Sequence, residues 1–348
     1  MSDGDIMMRA MVLDECGPIE KDPLRLASIP RHRIGRPDEV LIRIEACGVC
    51  HSQLHGIEGD WMDIGIPPVL PTVPGHEVVG TITEIGSAVT KFKVGQRAGI
   101  TPLLEACMEC QYCREGKEYL CESSTITGES TRGGYAEYIT APQDFVTLVP
   151  DSMAPEYAAP LFCAGITAYK AVKAAGPRPG MRIGIFGIGG VGHMAVQFAK
   201  VEGCRVFAFS RTRRHLEVAE KLGAVRSVTF SEGDNFTDDV KREIGLLDAA
   251  VVFAPSDAAT DAAVDLVKKG GTIVIATVGK NPKFMAFEEK TIRGTLIGST
   301  KDMEEVIRIC GENSLEVVSQ AYPLEEANRV LRLLKESKID ARAVLVPQ

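Results

Sequence analysis

Cys107, Cys110, Cys113 and Cys121 form a C-x2-C-x2-C-x7-C pattern inside fifteen residues. Thiolates spaced this closely can fold a short lobe around one tetrahedral Zn²⁺ with every position filled, so the chemistry expected there is structural. The chain holds ten cysteines, and the other six are spread over the rest of it, which makes a chance cluster a poor explanation. Disulfides are a weaker alternative, because the run between these cysteines is charged and the chain otherwise reads as intracellular.

More metal-binding side chains are scattered over three other stretches. Cys47-Gly48-Val49-Cys50-His51-Ser52-Gln53-Leu54-His55 is the first, Gly75-His76-Glu77-Val78-Val79-Gly80 the second, and Leu161-Phe162-Cys163-Ala164-Gly165-Ile166-Thr167 the third. Thiol, imidazole, hydroxyl and carboxyl groups in these stretches offer both metal ligands and proton carriers.

A third kind of chemistry is written in glycine. Arg182-Ile183-Gly184-Ile185-Phe186-Gly187-Ile188-Gly189-Gly190-Val191-Gly192 reads as strand, G-x-G-x-x-G turn, then helix. Gly187 permits the tight turn, Gly189 lets the backbone approach a pyrophosphate, and Gly192 lets the helix pack close to the strand. Gly190 and Val191 complete the turn. The N–H groups of the helix start then face the phosphates. The next strand should end near an acid if it is to hold the ribose of NAD. It ends instead in Ser210-Arg211-Thr212-Arg213-Arg214, with no carboxylate before Glu217. A hydroxyl beside a guanidinium suits a 2′-phosphate, so NADP is favoured over NAD. A solvated basic helix start is the plainer alternative.

These residues need elements to position them. The first half is rich in Gly and Pro with short apolar runs, and 40–45 and 78–84 read as strands of an irregular, mostly β domain. From about residue 154 the texture changes. Strands at 181–186, 204–209, 247–253 and 272–278 alternate with helices at 191–201, 212–222 and 257–268. That alternation predicts a parallel sheet with right-handed crossovers. A helix at 324–336 and a strand at 343–346 could close either domain.

The cysteine lobe, the three scattered stretches and the glycine turn resemble, in order and spacing, the zinc-dependent medium-chain alcohol dehydrogenases, in their two-zinc form acting on cinnamyl and other primary alcohols. The resemblance runs from about residue 9 to 345. It implies an α/β fold: a GroES-like β domain over 1–164 and 298–348, with a Rossmann domain, a doubly wound parallel sheet, over 165–297. It implies that Cys50, His76 and Cys163 bind a catalytic Zn²⁺, the Cys2His set known for alcohol dehydrogenases, with Glu77 beside it. Ser52 takes the position of the hydroxyl next to the reacting oxygen, and His55 that of the solvent end of a proton relay. His51 falls near the coenzyme phosphates. Thr167, Val278, Leu296, Ile297 and Gly298 fall near the nicotinamide, and Arg342 matches an arginine that reaches the pyrophosphate. Cys47 is a core residue in this pattern, and Trp61 a pocket-lining position in some relatives. Gln53 departs from the pattern, standing where relatives usually carry an acid bonded to the metal-binding histidine.

The function expected is hydride transfer between an alcohol or aldehyde and NAD(P), with NADP preferred and two Zn²⁺ per chain, one catalytic and one structural. A zinc-dependent polyol or sugar dehydrogenase is the nearest rival. A non-catalytic NADP-binding protein that keeps zinc only for folding is the rival from another class. The 39 basic and 47 acidic residues give a net charge of −8, which does not indicate a nucleic-acid surface. No apolar run approaches a membrane span. Residues 1–5 are acidic with no apolar stretch behind them, so no secretory signal is expected. A cytoplasmic homodimer or homotetramer is the expected form.

Overall fold

The computed structural model describes residues 6–347 except positions 65, 233–234, 281 and 283–284, so the acidic start at 1–5 lies outside the described residues. Backbone contacts divide the chain into two compact units. One comprises Met1–Cys163, Gly298–Gly311 and Val317–Gln348; the other comprises Ala164–Ile297 and Glu312–Glu316. The longest alternation of β and α predicted from sequence falls in the second.

That second unit carries a six-stranded sheet in the order Arg226–Thr229, Arg205–Ser210, Arg182–Phe186, Leu247–Val252, Val267–Ile275, Thr291–Gly294. Every neighbouring pair is parallel. Counted along the chain this is 3-2-1-4-5-6, the doubly wound order of a Rossmann sheet. The central strands are almost unbroken apolar runs because helices cover parallel sheets on both faces. Phe186, Phe207, Phe209, Leu247, Val252 and Ile273 belong to one buried cluster, and the Phe186 and Phe209 rings stack at 4.2 Å. Helix Asp257–Leu266 starts where Ser256 Oγ accepts the Ala259 N–H at 3.3 Å, an N-cap of the usual kind. It ends at Leu266, and the next strand begins at once at Val267 and stops at Ile275. The glycines at 270 and 271 disguise that strand in the sequence, and the register shift between Leu247 and Ala249 absorbs them. Gln197 joins the pentapeptide Glu312–Glu316 to this unit: its Nε2 donates to Glu316 O at 2.8 Å and its Oε1 accepts the Glu316 N–H at 2.8 Å.

The first unit is built on a largely antiparallel seven-stranded sheet. Strand Glu39–Gly48 sits at its middle, paired with Glu77–Ile85, Tyr138–Pro142 and Arg342–Val346. The C-terminal strand predicted near 343–346 therefore closes this unit. Ser319–Pro323 adds to it in parallel, and Arg97–Ile100 and Val146–Leu148 extend the other side. Register shifts at Leu41/Ile42 and Ile44/Ala46 mark bulges that bend the central strand. Val40, Ile42, Ile44, Val78, Ile82 and Leu345 lie in a single buried cluster. Among the described residues no helix is long and apolar enough to cross a membrane.

Candidate active site and metal centres

Three elements of the first unit converge on one group of donors. Cys50 is the residue before helix His51–Glu58, with extended backbone angles (φ −116°, ψ 147°). His76 immediately precedes strand Glu77–Ile85. Cys163 ends the short 3-10 turn Ala159–Phe162. Their ligand atoms, with a Glu77 oxygen, all lie within 4.8 Å of one another. Cys50 Sγ and Cys163 Sγ are 3.8 Å apart. Metal–sulfur bonds of about 2.3 Å in a tetrahedral site set two sulfurs ~3.8 Å apart, so this donor set fits zinc. The hydrogen bond from Cys163 pulls the Cys50 thiol well below its ordinary value, against the effect of burial, and His76 adds to the pull. The same bond and burial push Cys163 well above its ordinary value. Burial opposes charge on His76, but the adjoining Cys50 outweighs it and lifts the imidazole.

The surroundings of these donors are polar, with Gln53 and Glu77 buried and Cys50 and Ser52 half-buried. Ser52 Oγ donates to Cys50 Sγ at 3.1 Å and lies 3.4 Å from His76 Nε2. His55, three residues on and on the same helix face, contacts Asp60 Oδ2 through Nδ1 at 2.7 Å and stacks on Trp61 at 5.3 Å. Glu77 is wholly buried and ion-paired with Arg342, which is 4% exposed. Burial pushes the Glu77 carboxyl up to about 7, partly offset by the guanidinium. Arg342 is thus committed to Glu77 inside the first unit and presents little surface. On the far side of His76, Gln53 Nε2 meets Nδ1 at 2.9 Å. The amide also accepts the Gly75 N–H on Oε1 and donates to Glu129. Neither Asp60 nor Glu129 nor the Glu77–Arg342 pair carries a spacing signal in the sequence.

The four-cysteine lobe is equally regular. Helix Gln111–Arg114 starts at Cys110, and the 3-10 turn Glu118–Leu120 ends at Cys121. Sulfur separations are 3.9 Å for Cys107–Cys113, 3.5 Å for Cys110–Cys113 and 3.6 Å for Cys107–Cys121. These are tetrahedral-site spacings and far from a disulfide's ~2.05 Å. Backbone N–H groups of Glu109 and Cys110 hold the Cys107 thiol down at about 7. The buried Glu118 carboxylate accepts from Thr300 N at 2.8 Å and Thr300 Oγ1 at 3.1 Å, which ties the lobe to the start of helix Thr300–Asn313.

In the second unit the glycine turn has the conformation its sequence demands. Gly187 has φ 94°, and a Cβ on Gly192 would fall 1.9 Å from Gly187 O, so both close approaches need glycine. A Cβ on Gly189 would meet nothing within 4 Å, leaving that backbone open to a ligand. Gly190 and Val191 are half-buried just before helix Gly192–Val201. Ser210 ends strand Arg205–Ser210, and its Oγ accepts the Thr212 N–H at 3.3 Å. Arg211 is exposed and, among the described residues, makes no ion pair, whereas Arg213 pairs with Glu217 at 3.2 Å. Thr167 is half-buried on helix Ala164–Ala174. Val278 lies beyond the strand, 74% exposed, and Leu296 is 53% exposed. Ile297 is half-buried, Gly298 buried, and His51 exposed at its helix start.

Two family models match the chain. The alcohol dehydrogenase GroES-like domain covers residues 36–151 and the zinc-binding dehydrogenase domain covers 190–312. An alcohol dehydrogenase of Geobacillus stearothermophilus is 40% identical over 345 residues, 97% of this chain and 99% of that protein. An NADP-dependent alcohol dehydrogenase of Mycolicibacterium smegmatis is 32% identical, with 89% of this chain and 91% of that protein aligned. Among solved structures, the alcohol dehydrogenase of the hyperthermophilic archaeon Aeropyrum pernix superposes with a TM-score of 0.88 at 31% identity, covering 97% of this chain and all of that one.

Proposed function

Since the chain belongs to the zinc-dependent medium-chain alcohol dehydrogenases, NAD(P)-dependent enzymes, we propose that it interconverts primary alcohols, cinnamyl-type alcohols among them, and aldehydes with NADP(H) as the preferred coenzyme. The observation that carries this reading is the Cys50–His76–Cys163 donor set, with its sulfurs 3.8 Å apart beside a hydroxyl and a histidine on one helix.

Zinc at these three residues supplies a Lewis acid that lowers the pKa of an alcohol, and NADP supplies the hydride acceptor. The chain's own groups do the rest. Ser52 Oγ, next to Cys50, is placed to take the hydroxyl proton of the substrate. His55 carries it toward solvent. Asp60 holds His55 by Nδ1, which leaves Nε2 free to accept. Arg342 keeps the Glu77 carboxylate in place within reach of the ligand atoms. The glycine turn and the N-terminus of helix Gly192–Val201 take the pyrophosphate, and Arg211 takes the 2′-phosphate. Cys107, Cys110, Cys113 and Cys121 hold a second, structural zinc. The GroES-like domain is assigned to 1–164 and 298–348 and the Rossmann domain to 165–297, in a cytoplasmic homodimer or homotetramer.

The test is twofold. Elemental analysis should find two zinc ions per chain. Primary and secondary alcohols and their aldehydes, assayed with both coenzymes, should give turnover with best kcat/KM for primary alcohols and NADP. One zinc per fully loaded chain, or no turnover with any of them, sinks the reading.

A further inference from the structure

An imidazole that binds a metal through Nε2 keeps its proton on Nδ1, so the group facing Nδ1 must accept a hydrogen bond. His76 directs Nε2 toward Ser52 and Cys50 and Nδ1 toward Gln53 Nε2 at 2.9 Å. An amide nitrogen can only donate. The direction of an amide has to be argued from all of its partners, and here two partners fix it. Gln53 Oε1 accepts the Gly75 N–H at 2.5 Å, and Gln53 Nε2 donates to Glu129 Oε1 at 3.2 Å. Turning the amide over would set two N–H donors face to face at Gly75 and two oxygens face to face at Glu129. There is no slack to escape this. Gln53 is 1% exposed, and a Cβ on Gly128 would already fall 2.9 Å from its Oε1 and 2.7 Å from Gly75 N. A carboxylate at position 53 could accept from Gly75 with one oxygen and from His76 with the other, and its remaining conflict would be with the Glu129 carboxylate.

We propose that Gln53, held nitrogen-first by Gly75 and Glu129, opposes metal ligation at His76, and that Glu129 is a positioning residue acting on the metal through this amide. The proposal rests on the reading of Cys50, His76 and Cys163 as zinc ligands. The site then releases its zinc faster than two thiolates and an imidazole alone would dictate, and the acid at 129, not the amide alone, sets the rate.

The experiment exchanges the two functional groups. In the double variant Gln53→Glu/Glu129→Gln, the carboxylate at 53 accepts from both Gly75 and His76, and the new amide at 129 donates to it. Shape is nearly unchanged. Zinc release from loaded protein to a chromophoric chelator is followed at one pH, with the four-cysteine site as the internal slow reference. The exchanged protein should release its catalytic zinc about ten- to a hundredfold more slowly, the usual span for a residue that orients a ligand. Gln53→Glu alone, which sets two carboxylates side by side, should release it faster than the double variant. Melting of the zinc-stripped proteins should be alike. Equal or faster release from the double variant overturns the proposal. Slower release matched by a higher melting point of the stripped double variant also overturns it, because general stiffening would then be the cause. A loaded parent chain with no zinc outside the cysteine lobe removes the ligand assignment itself, and the two failures are told apart by that zinc count.

Discussion

At the residue scale the sequence discloses chemistry where the chemistry is local. The cysteine lobe is legible because its four ligands lie on one short segment, and the glycine turn because only glycine fits Gly187 and Gly192. What escapes is polarity between distant groups. Gln53 meets Gly75 at a separation of 22 residues and Glu129 at 76, so nothing in the segment 47–55 reveals that its amide points nitrogen-first at His76. Asp60 is hidden for a different reason: it is one ordinary surface acid until the turn after helix His51–Glu58 brings it to His55. The relay makes a residue-scale prediction. Ser52→Ala should cut kcat for alcohol oxidation by about 10²–10⁴-fold, the usual span of proton-transfer assistance, while His55→Gln should fall at or below the low end because water can substitute at the solvent end. Asp60→Asn should resemble His55→Gln in size. The pH–rate profiles check this: unchanged rates across the pH range in His55→Gln remove His55 from the relay. Coenzyme choice gives a second prediction. Arg211→Ala should lower the preference for NADP roughly ten- to a hundredfold, the worth of one charge-assisted contact, and Ser210→Asp should reverse it, as read from kcat/KM with the two coenzymes. A parent enzyme that is equally efficient with NADH decides against this assignment.

At the scale of elements, the sequence is clearest where a pattern is long or a strand is buried on both faces. Arg182–Phe186, Arg205–Ser210 and Leu247–Val252 are apolar runs and are found within a residue or so of their predicted bounds. Edge strands Arg226–Thr229 and Thr291–Gly294 have no buried residue, hence no alternation to read. Helix Thr300–Asn313 is capped locally by the reciprocal bonds of Ser299 and Asp302, and its first residue is also held from outside by Glu118, a contact that no local signal announces. That contact links the proposed structural zinc lobe to a helix, with a measurable consequence. Glu118→Ala should cost about 1–3 kcal/mol, the range for removing a buried hydrogen-bond partner. Cys110→Ser should cost more, because metal binding in such a lobe is part of folding. In the Cys110→Ser background Glu118→Ala should cost less than it does alone, since the lobe that carries the carboxylate is already loosened. Urea melts of the four proteins give the coupling, and strictly additive losses would deny the link.

For the whole molecule, stability should depend on acid and on chelators in separable ways. Burial lowers His32 to about 4, with Arg132 adding to the effect; Glu39 opposes it, and Thr140 Oγ1 faces the ring at 3.4 Å. A histidine whose folded value lies below its unfolded value of about 6.5 binds fewer protons when folded, so its contribution is steady above pH ~6.5 and turns destabilising as pH falls toward 4. The slope from one such group is at most about 1.4 kcal/mol per pH unit. Urea melts of His32→Gln and the parent should therefore diverge between pH 6.5 and 4, with the variant losing less; parallel curves would mean that position 32 is not the origin. Chelation tests the other dependence. With the proposed zinc at the three-ligand set keeping an open position and that in the four-cysteine lobe closed, a chelator should abolish turnover while circular dichroism still reports a folded protein, and simultaneous loss would contradict two sites of different lability.

The double hydrogen bond between Gln197 and the backbone of Glu316 bears on how this enzyme could be recombined with its relatives. A coenzyme module cut at the obvious points, 164 and 297, leaves the 312–316 pentapeptide behind and strands a glutamine amide that is 5% exposed, its acceptor unanswered and its donor left with only the long 3.4 Å contact to His193 O. Chimaeras that move the stretch 164–297 alone should express poorly or melt early. Chimaeras that carry 312–316 as a second, non-contiguous insert should recover. The recombination boundary of the module is thus set by a side chain reading a main chain more than a hundred residues away, and not by the ends of the glycine-bearing fold.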